Sequence, residues 1–468
     1  MQQAACAGLS SRVAGQLLGV RFDALGEGAV RAASRALLDA VGVMQAASGL
    51  CAEAAPFVDL AVEQGGRAEA TILGTGLSVP ASQAAFANGA LAHALDYEDV
   101  FDGAPVHPNA ALIPAVLALA QSDPRISGRD LLTAIVVGCE TVCRIALSLR
   151  RPLEHGGWYP PPILGAWGAV AGAAHLLHLS PRQLVDAWSL MLLQTSAPGE
   201  IRRGDDSAIR GVREAFPAQT AVTAVRLAQR DVRGFPAPLE GREGFYRLFA
   251  GGEFDPAGLD APPGPHWHIE SLSFKPWPSC RGTHAAIECA LHLRNALGDP
   301  LRLSQIVVEG NEVQQMLAEP RARKCAPATA IEAKFSLPFT VAAALVDGRV
   351  DLDTFAPANL SRPELQQVAA RVQFERHGSW PRSQAVSGAL RGLRDDGAGL
   401  RKEILVPLGA PQRPLEEAGL VRKFVDCCAR ARCALHAEAA QALAARLLSI
   451  AREPSVAALP WNSETSLT

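Results

Sequence analysis

Apolar residues recur at helical spacing along most of this chain, and strand-like spacing is concentrated in its second half. The segment Val30-Arg-Ala-Ala-Ser-Arg-Ala-Leu-Leu-Asp-Ala-Val-Gly-Val repeats at intervals of three and four, so residues 10–50 are expected to form one or two helices. A short strand is expected at Ala70-Thr-Ile-Leu, before breaks at Gly74, Gly76 and Pro80. Helices should resume at 81–96 and 109–121. Ser127-Gly-Arg-Asp130 is a capping-box pattern opening a helix that ends near Leu149. A Pro-rich turn at 152–162 precedes an apolar helix at 163–178, and Ser180-Pro-Arg-Gln183 caps the next one. The charged stretch 197–212 reads as a loop and 215–230 as a helix.

The texture changes at Asp255, where Pro-Ala-Gly-Leu-Asp-Ala-Pro-Pro-Gly-Pro reads as a linker. Beyond it, strands are expected at 303–310, 368–375 and 400–407. Helices at 283–297, 335–347 and 361–367 alternate with them, the last opened by a Ser361-x-x-Glu364 box. From Pro414 to Ile450 the chain is helical and Ala-rich, and should pack back on the N-terminal helices; residues 454–468 should fray. The expected fold class is mainly α. Residues 1–265 and 409–468 form a large helical domain, and 266–408 a smaller α+β lid.

Composition narrows the function. Hydrophobic residues are 49% of the 468 but aromatics only 5%, so Ala, Leu and Val must build a core of closely packed helices. A net charge of -3 gives no reason to expect a nucleic-acid or membrane-surface partner. Charged residues interrupt each long apolar run, and the start lacks signal-peptide character, so a cytoplasmic protein is expected. The ten cysteines include no C-x-x-C pair, which suits free thiols in a reducing compartment rather than zinc or an iron-sulfur cluster. Rossmann, Walker, G-x-S-x-G and H-E-x-x-H motifs are absent. What remains is acid–base chemistry on an anionic substrate without a cofactor.

Four clusters could carry it. Asp96, Glu98, Asp99 and His107 gather acids and a histidine at a loop between two apolar helices, which suits general acid–base work. A solvated helix end explains the acids as well, and His93, Asp96 and Asp99 offer a weaker metal reading. Glu154-His155-Gly-Gly-Trp158-Tyr159-Pro-Pro-Pro is a rigid loop in which Tyr159 either donates to a substrate or wedges a turn against the core. Arg202-Arg-Gly-Asp-Asp-Ser-Ala-Ile-Arg210-Gly-Val-Arg213 could grip carboxylates, although such runs are more often solvated loops. Phe274-Lys275-Pro-Trp-Pro-Ser-Cys-Arg281-Gly-Thr-His284 leads basic residues into a helix start and is the best polyanion candidate; Lys334 is a fifth, weaker one.

These clusters, in this order, resemble the MmgE/PrpD family, which includes 2-methylcitrate dehydratase, cis-aconitate decarboxylase and iminodisuccinate epimerase. The resemblance is carried by Leu37-Leu-Asp-Ala-Val-Gly, Asn88-Gly … His93-Ala-Leu-Asp96-Tyr-Glu-Asp … His107-Pro and Gly157-Trp-Tyr-Pro. Gly165-Ala-Trp-Gly-Ala-Val-Ala-Gly-Ala-Ala, Lys275-Pro-Trp-Pro-Ser-Cys-Arg-Gly-Thr-His284 and Glu332-Ala-Lys-Phe-Ser-Leu-Pro-Phe extend it over nearly the whole chain. It implies a helical domain built from both chain ends, an α+β lid, a homodimer and a metal-free site between the domains. Asp96, His107 and Lys275 match family active-site positions. Three positions depart: Val100 replaces a threonine common in decarboxylase-like members, Tyr159 a histidine, and Arg210 or Arg213 a lysine. The expected activity is proton abstraction next to a carboxylate on a small di- or tricarboxylate. Asp96, His107, Tyr159 and Lys275 are the expected catalytic residues, and Arg210, Arg213, Arg281, His284 and Lys334 the binding residues. A dehydratase-like hydro-lyase is favoured; an epimerase, a decarboxylase, a non-catalytic carboxylate binder and a metal-dependent hydrolase are the alternatives.

Overall fold

The computed structural model describes residues 8–461 apart from 105, 203–207, 298, 382–383 and 395, together with the backbone but not the side chain of residue 297. The chain forms two units. One comprises Met1–Ala94, Glu98–Leu272 and Glu416–Thr468; the other, Leu95–Tyr97 and Ser273–Leu415.

The first unit is helical. Its N-terminal helices are α1 (Leu9–Leu18), α2 (Gly26–Leu50), α3 (Ala55–Glu63), α4 (Ala81–Ala94), α5 (Asn109–Ser122), α6 (Gly128–Ser148), α7 (Pro160–Leu176), α8 (Pro181–Leu192), α9 (Ile209–Val212) and α10 (Ala215–Ala228). Both capping boxes that open α6 and α8 form, with Ser127 and Ser180 accepting from the backbone N–H three residues on. Helix α7 begins at Pro160, earlier than the expected 163. The first turn of a helix needs no N–H partners, so the prolines start this helix rather than delay it. The stretch 197–212 contains short helical turns at Gly199–Arg202 and Ile209–Val212; Arg203, Asp205 and Asp206 lie outside the described residues.

Helices α4, α5 and α7 are apolar around most of their circumference and buried along almost their whole length. Small residues let them approach. A Cβ on Gly168 of α7 would run into the Gly138 carbonyl of α6, and one on Gly89 of α4 would lie 2.5 Å from the Glu214 carbonyl. The second contact fixes the start of α10 against α4. Asn88, opening the most distinctive motif, ties α4 to the preceding strand. Its amide donates to Thr71 O (2.9 Å) and accepts from Leu73 N–H (2.9 Å). Helix α6 is long and apolar enough to cross a membrane, but 83% of its apolar window is buried within the protein, as in a core helix.

Two later helices, Glu417–Ala429 and Ala437–Leu448, complete this unit. Phe424 packs over Gly42 of α2, and Lys423 pairs with Asp39 at 2.7 Å. The expected linker contains a short helix, Pro256–Asp260, because the Asp255 side chain accepts from Ala257 N–H.

The second unit holds a four-stranded sheet in the order Val372–Arg376, Leu303–Gly310, Gly388–Arg394, Gly399–Ile404. The first pair is parallel and the other pairs antiparallel. Ile306, Val308 and Leu390 share a core with Leu293 and Phe339 of the helices His284–Leu297 and Leu337–Asp347. Three expectations are corrected. Val368 and Ala369 end a helix, Pro363–Ala369, and the strand starts only at Val372. That helix has Arg362 at its N-cap with no side-chain cap, because Pro363 sets its first turn and the Ser361 box does not form. The strand Gly388–Arg394 went unread, since its two glycines and two arginines hide a Leu390-centred alternation.

Candidate active site

In the helical unit, a tight loop brings acids and histidine together. The Phe101 N–H donates to the Val106 carbonyl (3.1 Å), so the acids before the loop meet His107 after it. Glu98 is 1% exposed, and its Oε1 is shared by two imidazoles: Nδ1 of His93 and Nδ1 of His107 (2.9 Å). His107 Nδ1 also lies 3.0 Å from the Asp99 carbonyl. Its side chain is 15% exposed, and among the described residues no hydrogen bond engages its Nε2.

Two further buried acids flank this group. The Asp99 carboxyl accepts from Asn109 Nδ2 at 2.7 Å. Burial, then the negative charge of Asp39, pushes its pKa up to about 7 against the opposing hydrogen bond. Glu214 is also raised, by burial first, while Arg213 and His107 pull it down. Arg213 is 3% exposed and held from several sides. Its Nε meets Glu214 Oε1 at 3.0 Å, its Nη1 donates to the Arg210 carbonyl at 2.7 Å, and its guanidinium lies 5.1 Å from the centre of the Tyr159 ring. Tyr159 caps the start of α7, and Arg202 also approaches its ring, at 5.9 Å. The structure thus joins His107 and Glu98 in one group of close charged contacts, and Tyr159, Arg213 and Glu214 in another.

In the α+β unit, Lys275 is fully buried and donates to Asp96 twice, at Oδ1 (2.5 Å) and at the carbonyl (2.9 Å). Asp96 has φ of 50°, a left-handed conformation that its short polar side chain tolerates. Tyr97 O–H donates to the Pro276 carbonyl (3.2 Å), holding the same loop. Arg281 is 6% exposed; its guanidinium donates to Leu408 O (3.0 Å) and Ser273 Oγ (3.3 Å) and lies 3.4 Å from His284 Nδ1. His284 is fully buried, with Nε2 3.1 Å from the Ser279 carbonyl, so this geometry makes it a strut for Arg281. Lys334 is 3% exposed at the end of a short helix, with Nζ 5.8 Å from the Phe355 ring centre.

In the helical unit, His93, Glu98 and His107 each offer a ligand atom, all within 4.8 Å of one another. His107 Nδ1, however, is engaged by the Asp99 carbonyl at 3.0 Å. Asp99, expected beside His93 in a metal set, instead turns its carboxyl to Asn109. Cys139 and Cys143 are buried free thiols with pKa raised by burial, while Cys51, Cys280, Cys325 and Cys433 are half-buried.

Comparison with known proteins bears on these arrangements. The model of the MmgE/PrpD N-terminal domain matches residues 11–257, and that of the MmgE/PrpD C-terminal domain matches residues 277–448. The chain belongs to the MmgE/PrpD family. Among similar curated proteins, the cis-aconitate decarboxylase of Mus musculus is 25% identical over 378 residues, 77% of this chain and 74% of that protein. That of Aspergillus terreus is 25% identical over 381 residues, 75% of this chain and 76% of its own. The Homo sapiens enzyme is 25% identical over 311 residues, covering 64% of this chain and 62% of its own length. This MmgE/PrpD protein is an enzyme of the lyase class.

The sequence placed Glu98 among the acids of the 96–107 cluster without singling it out, and only the folded loop shows it between two histidines. Glu214 carried no signal, since a single acid before an apolar helix is common at a first turn.

Proposed function

We propose that the protein is a carboxylate lyase that works with its own side chains, His107 moving a proton at the carbon next to a carboxylate. One observation carries this reading: the Nδ1 side of His107 is anchored in buried acid and backbone while its ring remains partly exposed, which leaves Nε2 for the substrate. Arg213, pinned by Glu214 and the Arg210 carbonyl, supports it as a preorganised cation for a substrate carboxylate and for the enolate charge that develops. Arg281 and Lys334 are the proposed carboxylate-binding cations of the α+β unit, with Lys275 held on Asp96 as a fixed charge.

The relatives favour decarboxylation of an unsaturated tricarboxylate such as cis-aconitate. In that reaction a C–C bond breaks, its electron pair passes into the conjugated carboxylate, CO2 leaves, and His107 as imidazolium returns a proton to carbon. A second reading, dehydration of a 2-methylcitrate-like hydroxy acid, is supported by Tyr159 beside Arg213. Neutral His107 would take the carbon proton, the electron pair would form the double bond, and hydroxide would leave as water with the phenolic proton.

The test is incubation with cis-aconitate, citrate and 2-methylcitrate in D2O, followed by NMR. Deuterium incorporation with loss of CO2 or water supports the lyase reading. Binding without exchange or turnover across the panel would replace it with a carboxylate-binding role.

A further inference from the structure

We propose that Glu98 is a positioning residue that holds His93 against His107 and, together with the Asp99 carbonyl, fixes which nitrogen of His107 carries the proton. The inference rests on the reading of His107 as the proton-moving group and adds the device that prepares it. The first argument is chemical. The Asp99 carbonyl lies 3.0 Å from His107 Nδ1, and a carbonyl oxygen can only accept. Nδ1 must therefore be the N–H, and the lone pair of a neutral ring must sit on Nε2.

The second argument is packing. Glu98 and His93 are each 1% exposed, so neither can reorient into water. His93 stands on the last turn of α4, and its ring meets the His107 ring edge to face at 5.0 Å and 60°. Both Nδ1 atoms face the same Glu98 oxygen, so His93 cannot rotate without breaking a buried hydrogen bond, nor His107 without losing its bond to the Asp99 carbonyl. Proton uptake at His107 Nε2 would create an imidazolium already in contact with a carboxylate. The charge that appears during the reaction thus has its partner in place beforehand.

The experiment uses the full-length protein labelled with 15N-histidine. Two-bond 1H–15N correlation spectra separate the Nδ1–H and Nε2–H tautomers, and loss of signals in His93→Ala and His107→Ala assigns the two rings. Wild-type protein should show Nδ1–H at His107. Glu98→Gln presents an amide NH2 that can donate to Nδ1 in competition with the acceptor that the Asp99 carbonyl leaves in place, so the Nε2–H tautomer of His107 should rise measurably above its wild-type share. Glu98→Asp keeps a carboxylate and should keep Nδ1–H. An Nε2–H tautomer in the wild type, or an unchanged tautomer ratio in Glu98→Gln, would overturn the proposal. Because this readout needs no turnover, its failure is separable from failure of the catalytic reading, which shows as exchange that survives loss of His107.

Discussion

Asp96 and Glu98 are two residues apart in the chain and equally buried, yet they sit in different units and have opposite partners. Asp96 is closed by a lysine that donates to both its side chain and its carbonyl. Glu98 faces two imidazoles, one of them partly exposed. A lysine–carboxylate pair in a sealed site is a fixed charge arrangement that resists change. A carboxylate between imidazoles faces groups that can donate or accept a proton. On the proposed reading they do different work: Asp96 with Lys275 sets the charge environment, and Glu98 positions His107 for proton transfer.

The comparison can be broken most sharply at His107. His107→Ala should lower solvent deuterium exchange into a turned-over carboxylate by ~10²–10⁴-fold with circular dichroism unchanged, the range for a lost general acid–base group. Exchange at the wild-type rate would move the proton chemistry elsewhere. On the other side, Lys275→Ala strands the Asp96 carboxylate and should cost about 3–5 kcal/mol in denaturant titration. The double change Lys275→Met with Asp96→Asn should recover most of that stability. If the single change costs nothing, Asp96 and Lys275 are not a sealed pair.

A smaller effect separates Asp99 from both. Its carboxyl holds a proton to about pH 7, whereas an unfolded aspartate loses it near pH 3.8. Its contribution to stability is therefore full at pH below 4 and is lost as pH rises through 7. Asp99→Asn, which can still accept from Asn109, should raise the melting temperature at pH 8 and leave it unchanged near pH 4. An equal shift at both pH values would refute the buried-acid account. The smallest expected effect is that of chelation. Dialysis against EDTA should leave turnover unchanged, and a loss restored by one divalent ion would convert His93, Glu98 and His107 from a positioning group into a ligand set.

The helices were legible because their signals are local. Ser127 with Asp130, Ser180 with Gln183 and the apolar spacing of 30–43 each depend on residues a few positions apart. The sheet was legible where a strand carries its own apolar positions, as at Leu303–Gly310 and Gly399–Ile404. The strand Gly388–Arg394 owes its place to neighbours on both sides, so its own sequence is ambiguous. The site followed the same rule. Acid density at 96–99 marked the region, but which acid meets which base depends on the left-handed turn at Asp96 and on the 101–106 loop. No periodicity encodes either. The partnership of Glu214 with Arg213 was equally out of reach, because it depends on α10 being seated against Gly89.

The pairing of Asp39 with Lys423 also constrains how the chain can be made. On the ribosome α2 emerges early, but the cation that neutralises Asp39 and the phenyl ring that covers Gly42 come hundreds of residues later. Between them the whole of Ser273–Leu415 must be synthesised, roughly seven to thirty seconds at about 5–20 residues per second. During that interval a helix bundle lacking the Lys423 partner of Asp39, and with an open apolar seam, waits beside a growing chain. Its yield in a cell should therefore depend on chaperones and on translation speed through the inserted segment, even where the finished protein is stable.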